Sequence, residues 1–332
     1  MKFDQIVADL QNKIYRPVYF LYGDEPYFID HICDYIEDNV LSDAEKEFDQ
    51  TVVYGRDVDI GIIIDTARRY PMMSTYMVVI VREAQEIDHI DNLQPYIDSP
   101  LKSTILVLAY KYRKIDKRKS FARSIDKAGV LFESSKLYDN QVPSWITAQI
   151  RERGYQISPK ACTLLAEYLG ADLGRIKKEI EKLVINIQEG STISEEIIER
   201  NIGISKDYNV FELQNALGKL DIVKANRIIA HFAANPKQHP TVVVLTVLFN
   251  FFIKLMIFHQ LKDKSRNNVA SALSVSPFFV KDYSEAARNY SMRKLRSIIT
   301  LFRQYDLKVK GVNNVTTEDG QLLKELVYKI LH

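Results

Sequence analysis

The sequence predicts an α/β domain built on a parallel sheet, followed by two all-helical domains. Three observations predict it. Short apolar runs rich in β-branched residues alternate with helical patterns over residues 1–135. From Asp139 onward apolar residues recur at helical spacing, with no convincing strand. The length, 332 residues, accommodates two or three domains of roughly 100–200 residues each.

In chain order, strands are expected at 17–22 (PVYFLY), 49–54 (DQTVVY), 76–82 (YMVVIVR), 104–110 (TILVLAY) and 130–133 (VLFE). Helical patterns at 27–40, 58–70, 88–98 and 117–128 separate them. Such helices make right-handed crossovers between parallel strands, giving a doubly wound layer. Beyond it, Ser158-Pro159 reads as an N-cap followed by proline at the first helical position. Residues 172–188 set Leu173, Ile176, Ile180, Leu183, Val184 and Ile187 on one face, and Glu189-Gly190-Ser191 ends the pattern. Ser194-Glu195-Glu196 opens another helix. A second boundary is expected at 203–209 (GISKDYN), with long helices from there to the C-terminus. The domains are therefore expected at 1–138, 139–205 and 206–332.

Composition narrows the function classes. With 46% hydrophobic and 27% charged residues, the chain reads as an ordinary globular protein. Forty-five basic against forty-three acidic residues leave a net charge of +2, too balanced to announce a nucleic-acid binder by charge alone. Cys33 and Cys162 lie far apart in helical patterns, which fits a reducing cytoplasm better than a disulfide framework. The start, Met1-Lys2-Phe3-Asp4-Gln5-Ile6, is amphipathic and no apolar signal core follows it. The apolar stretch Thr241 to His259 is interrupted by Asn250 and Lys254. A lysine at a membrane helix centre costs about 2.5–3.5 kcal/mol, so a helix buried in a helical domain is expected, with no membrane partner. The six histidines show no metal-ligand spacing with either cysteine, and no nucleophile motif stands out. No metal, cofactor or catalytic residue is expected.

After the first strand, where a nucleotide-binding α/β protein carries its phosphate loop, the chain reads Gly23-Asp24-Glu25-Pro26-Tyr27-Phe28-Ile29-Asp30. A working loop, G-x-x-x-x-G-K-[ST], needs backbone N–H groups, a lysine for the terminal phosphates and a hydroxyl for magnesium. Counting from Gly23, Phe28 replaces the second glycine, Ile29 the lysine and Asp30 the hydroxyl. Pro26 removes an N–H donor, and Asp24 and Glu25 add negative charge where a triphosphate would sit. The expectation is an NTPase-like body that works by binding partners.

This plan, with the altered loop, closely resembles the delta subunits of the bacterial DNA polymerase III clamp loader. Further motifs carry the resemblance in order: Arg69-Tyr70-Pro71-Met72-Met73-Ser74 before Met77 to Ala84, Thr104 to Leu108 before Lys114 to Lys119, Gly170-Ala171-Asp172-Leu173, Lys178 to Leu183, and Asn209-Val210-Phe211-Glu212-Leu213. It implies an AAA+-like fold for the first two domains, the second being a helical lid, and a helical collar for the third. The implied role is a non-ATPase subunit of a hetero-pentamer. It binds the sliding clamp and helps open it for loading on primed DNA during replication. An active AAA+ ATPase has an Asp-Glu pair after the third strand; here Arg82-Glu83 stands there. Any polymerase activity would belong to the holoenzyme and not to this chain.

The resemblance also places the clamp-binding residues, on Pro71, Met72 and Met73. The residues themselves leave two roles open: a cap on the core beneath the sheet, or an exposed apolar grip for a partner pocket, for which methionine is adaptable. The family often carries larger residues here. Lys111, Arg113, Lys114, Lys117, Arg118 and Lys119 surround a single acid, Asp116. Such a run is ordinarily a solvated helix start; the alternative is contact with DNA or a neighbouring subunit. Arg288, Arg293, Lys294 and Arg296 form a weaker patch. Arg175 stands where active relatives sense nucleotide and is expected to be structural here, and Trp145 is expected in the core. Two other functions compete: a divergent NTPase, and a stand-alone DNA-binding protein.

Overall fold

Near-continuous apolar runs at 18–22, 77–81 and 104–109 dictate a sheet covered from two sides, and the first part of the chain builds one. The computed structural model describes residues 1–332 apart from Asp139, Ile204, Lys206, Asn313 and Val315. The expected domain starts at Asp139 and Lys206 therefore lie outside the described residues. By internal contacts the chain divides into two compact units, Met1–Leu137 and Tyr138–His332.

The first unit runs α1 (Phe3–Gln11), β1 (Val18–Gly23), α2 (Pro26–Asn39), α3 (Asp43–Asp49), β2 (Gln50–Tyr54), α4 (Ile60–Ala67), β3 (Met77–Arg82), α5 (Gln94–Ile97), β4 (Thr104–Lys111), α6 (Ser120–Ala128) and β5 (Val130–Ser134). The strands form one five-stranded sheet in the order β2-β3-β4-β1-β5. Every neighbouring pair is parallel. Phe20, Tyr22, Val79, Val81, Leu106 and Leu108 face a core completed by Ile63, Tyr96, Phe121 and Ile125 from α4, α5 and α6. The residues between them, among them Tyr19, Leu21, Val78, Ile80, Ile105 and Val107, face Ile6 and Leu10 of α1 and Ile29, Ile32 and Ile36 of α2. The period of two thus sorts β1, β3 and β4 into two cores, while the edge strand β2 stays partly exposed.

All five expected strands are present, but the helices between them differ in extent. The pattern at 58–70 yields only Ile60–Ala67, opened by Asp59, whose carboxylate accepts the Ile62 N–H. The pattern at 88–98 breaks into a 3₁₀ turn (Ile90–Leu93) and the short α5, because Pro95 supplies no N–H to carry one helix through. The helix expected from 117 begins at Ser120, since Asp116 accepts the Arg118 N–H and holds a loop ahead of it. The short α3, with its Ser42/Glu45 capping box, had no expected counterpart.

The second unit runs α7 (Val142–Glu152), β6 (Gln156–Ile157), α8 (Pro159–Leu169), α9 (Leu173–Ile185), β7 (Thr192–Ile193), α10 (Glu195–Ile202), α11 (Val210–Gly218), α12 (Ile222–Ala234), α13 (Thr241–Gln260), α14 (Arg266–Leu273), α15 (Val280–Asn289), α16 (Met292–Val309) and α17 (Asp319–Leu331). The expectation of no strand past residue 139 is corrected by β6 and β7, a two-residue parallel pair joining Gln156 to Thr192 and Ile157 to Ile193. Two residues are too few to show a period. The Ser158 cap is as expected: its hydroxyl accepts the Ala161 N–H. Leu173, Ile176, Ile180 and Leu183 bury one face of α9, but the helix ends at Ile185, so Ile187 lies past it. Trp145, expected in the core, is only partly buried on α7, while Ile146 takes the inward position. Helix α13 is long and apolar enough to cross a membrane by length and composition. Its buried face, including Leu248, Phe252 and Leu255, belongs to the hydrophobic core shared with α11, α12 and α14 to α17.

Candidate functional site

Two places in the first unit concentrate the chemistry. The first is the turn from β1 into α2. Gly23 has φ +131°, and a Cβ there would lie 2.0 Å from the Ser134 carbonyl oxygen, so only glycine fits beside β5. The Ser134 hydroxyl donates to the Glu25 carbonyl at 2.6 Å, and the Tyr112 N–H donates to the Gly23 carbonyl at 2.8 Å. The turn is tied down on both sides.

Glu25 decides what this turn can hold. Its side chain is buried and accepts the Tyr27 N–H at 3.1 Å, as the N-cap of α2. The positive helix end that would receive a phosphate thus receives the chain's own carboxylate. Ile29, at the lysine position, is wholly buried in the core beneath the sheet. Phe28 packs with its ring centroid 4.7 Å from that of Phe3 of α1, the two planes tilted by 57°. Asp30, at the hydroxyl position, lies 2.5 Å from the Lys111 ammonium and 3.9 Å from the Arg82 guanidinium. Arg82 also bonds Asp34 and Glu37 at 2.7 Å each. Burial works against the Arg82 charge, but those carboxylates outweigh it and raise its pKa. Protein cations stand where magnesium would be needed, and the residues present do not fit a nucleotide with its metal.

The basic run folds over the same edge of the sheet. Besides Lys111, Lys114 pairs with Asp24 at 3.4 Å, Lys117 with Glu133 at 2.5 Å and Arg118 with Asp116 at 3.0 Å. Arg113 and Lys119 are exposed and form no ion pair among the described residues. In the second unit, Arg288, Arg293 and Arg296 are exposed on α15 and α16, whereas Lys294 lies 5.4 Å over the Tyr290 ring. Arg175 stacks at 5.6 Å over Tyr168.

The second place is the loop between α4 and β3. Met72 is 80% exposed, Met73 59% and Tyr70 73%, with Pro71 partly buried. The core-cap alternative for the methionines fails on those exposures. The loop is nonetheless held. Asp49, at the end of α3 and 0% exposed, accepts the N–H of Met72 at 2.6 Å and those of Met73 and Ser74 at 2.8 Å each. Burial opposes the Asp49 charge, but these donors prevail and hold its carboxyl below the usual range. Sequence reasoning missed Asp49, since a lone aspartate between a helix and a strand has no motif and its partners lie 23–25 residues away. Phe48, the residue before it, is also exposed.

A family model described as "DNA polymerase III, delta subunit" matches residues 19–135, and one described as "DNA polymerase III delta subunit, C-terminal domain" matches residues 207–327. The chain belongs to the DNA polymerase III delta subunit family. A delta subunit of DNA polymerase III from Bacillus subtilis (strain 168) is 26% identical over 339 residues, covering 98% of this chain and 95% of the relative. A probable delta subunit from Aquifex aeolicus (strain VF5) is 21% identical over 215 residues, covering 62% and 60%. The solved structure of the Bacillus subtilis DNA clamp loader delta protein matches over 99% of both chains, with a TM-score of 0.52 and 23% identity. This delta-family chain pairs an α/β sheet domain with a helical unit.

Proposed function

We propose that this protein is a non-ATPase subunit of a replicative clamp loader, which binds the sliding clamp and helps open it for loading on primed DNA. The observation that carries the reading is the pairing of an anchored, exposed Pro71-Met72-Met73 loop with a phosphate loop filled by the chain's own side chains. On this reading the subunit acts by contact with its partners and not by turning over nucleotide. Family membership supports contact with the other polymerase III subunits and the clamp, in a cytoplasmic hetero-pentamer. On this reading the chain works as three domains: the AAA+-like body at 1–138, the lid at 139–205 and the collar at 206–332, which supplies most assembly contacts. Arg113 and Lys119 are the members of the basic run left to meet DNA or a neighbouring subunit.

Opening a ring by binding requires preference for one state, because a ligand shifts an equilibrium only by its differential affinity. The loop fits the clamp better with its interface open than closed. Burying each methionine contributes roughly 1.5–3 kcal/mol. Losing both therefore weakens binding about a hundredfold or more, at 1.4 kcal/mol per decade.

The test is the affinity for the cognate sliding clamp, without nucleotide, of wild type beside Met72→Ala/Met73→Ala. Tight binding by wild type and collapse in the double variant is the expected result. Binding that survives the double substitution moves the site elsewhere. A folded wild-type protein that ignores the clamp removes the reading.

A further inference from the structure

Exposed apolar side chains on a loop outside helix and strand carry a cost at binding: the backbone beneath them must first be ordered. Here that backbone is already bonded. Three consecutive amides, those of Met72, Met73 and Ser74, converge on one buried carboxylate, and the Ser74 hydroxyl donates at 2.7 Å to the Tyr76 carbonyl. The carboxylate comes from α3, which has its own capping box and leads directly into β2 of the sheet. Asp49 is thus fixed by the scaffold on one side and holds the loop on the other, while the methionine side chains themselves stay out in solvent.

We propose that Asp49 is a positioning residue for partner docking: it fixes the backbone of residues 72–74 so that Met72 and Met73 present a ready shape to an apolar pocket of a protein partner. This rests on the reading of the loop as the clamp-binding element. It adds that affinity depends on a buried charge that never touches the clamp. Charge-assisted bonds to backbone N–H groups are stronger than neutral ones, so a neutral side chain of equal size cannot replace it. The amide of an asparagine would turn one N–H₂ group toward N–H donors, losing one arm of the anchor.

The experiment combines amide hydrogen exchange with clamp affinity, on the full chain, for wild type, Asp49→Asn, Met72→Ala/Met73→Ala and the triple variant. In wild type the amides of Met72, Met73 and Ser74 are expected to be protected despite the exposed side chains. In Asp49→Asn they should exchange at least about tenfold faster, with clamp affinity down about tenfold. In the Met72→Ala/Met73→Ala background the same change should cost little further, because the preformed shape then has nothing to present. An equal loss in both backgrounds would mean that Asp49 supports the domain and not the docking, and would overturn the proposal. Unchanged affinity alongside faster exchange would overturn it too, leaving the clamp reading intact. If Asp49→Asn does not fold, wild-type exchange decides: protected amides support the anchor, and amides as fast as an open loop refute it. Wild type that fails to bind the clamp marks failure of the clamp reading itself, and the docking role falls with it.

Discussion

Glu167 on α8 is partly buried and feels the Lys254 charge on α13. Burial pushes its pKa up to about 8, while Lys254 on α13 pulls the other way. The Tyr283 hydroxyl faces the same charge, and burial in turn lowers the Lys254 pKa. The sign follows from linkage. Between the ordinary value of 4.5 and about 8, the folded state keeps a proton that the unfolded state gives up. Stability from this group is therefore full below that window and declines as pH rises through it. Glu167→Gln should accordingly gain stability over wild type as pH rises from the acidic to the alkaline end of that window. A shift in melting temperature of about 2 °C or more at the alkaline end is expected, and little at the acidic end. Thermal melts at the two ends check it, and a pH-independent difference would contradict the assignment. Asp49 runs the opposite way: its lowered pKa means support that is lost only on strong acidification.

The β1–α2 turn and the β3 terminus act as one element. Glycine at position 23, the Ser134 hydroxyl and the Glu25 cap fix the path of the turn, and Arg82 ties the end of β3 to three carboxylates of α2. Gly23→Ala forces a left-handed backbone on a residue with a Cβ and drives that Cβ into the Ser134 carbonyl. It should destabilise the first unit by roughly 3 kcal/mol, the sum of modest strain and overpacking. Denaturant titration followed by tyrosine fluorescence measures this, and a neutral effect would mean the turn is looser than its geometry. The ion pairs that close this edge of the sheet also explain why a run of six basic residues leaves little open charge: four of them already face acids.

At the scale of the molecule, the filled phosphate loop has a plain thermodynamic consequence. A ligand that binds only the folded state at a hundredfold excess over its Kd stabilises by about 2.7 kcal/mol. Millimolar MgATP should leave the melting curve of this protein unchanged. A magnesium-dependent rise of several degrees would restore the NTPase reading. Helix α13 makes a related point about context: by composition it resembles a membrane span, yet its apolar face is part of the core shared by the surrounding helices.

The five strands of the main sheet, the sheet class, the switch to helices and the defects of the phosphate loop were legible in the sequence, because periodicity and motif spacing are local; the two-residue strands β6 and β7 were too short to show a period. Phe28, Ile29 and Asp30 announced lost chemistry by residue type alone. What local pattern could not carry was where charges meet. That Lys111 and Arg82 would share Asp30, or that Asp49 would reach the backbone of residues 72–74, depends on pairings across the sheet and on loops brought together from distant positions. The same holds for Met72 and Met73, whose residue type allowed core or surface. By itself the sequence determined the five strands of the main sheet, the turn to helices after them and the departure of residues 23–30 from the phosphate-loop motif. Only the tertiary structure decided that the methionines stand in solvent on an anchored loop, because burial and hydrogen-bond partnership are properties of neighbours in space and not of neighbours in the chain.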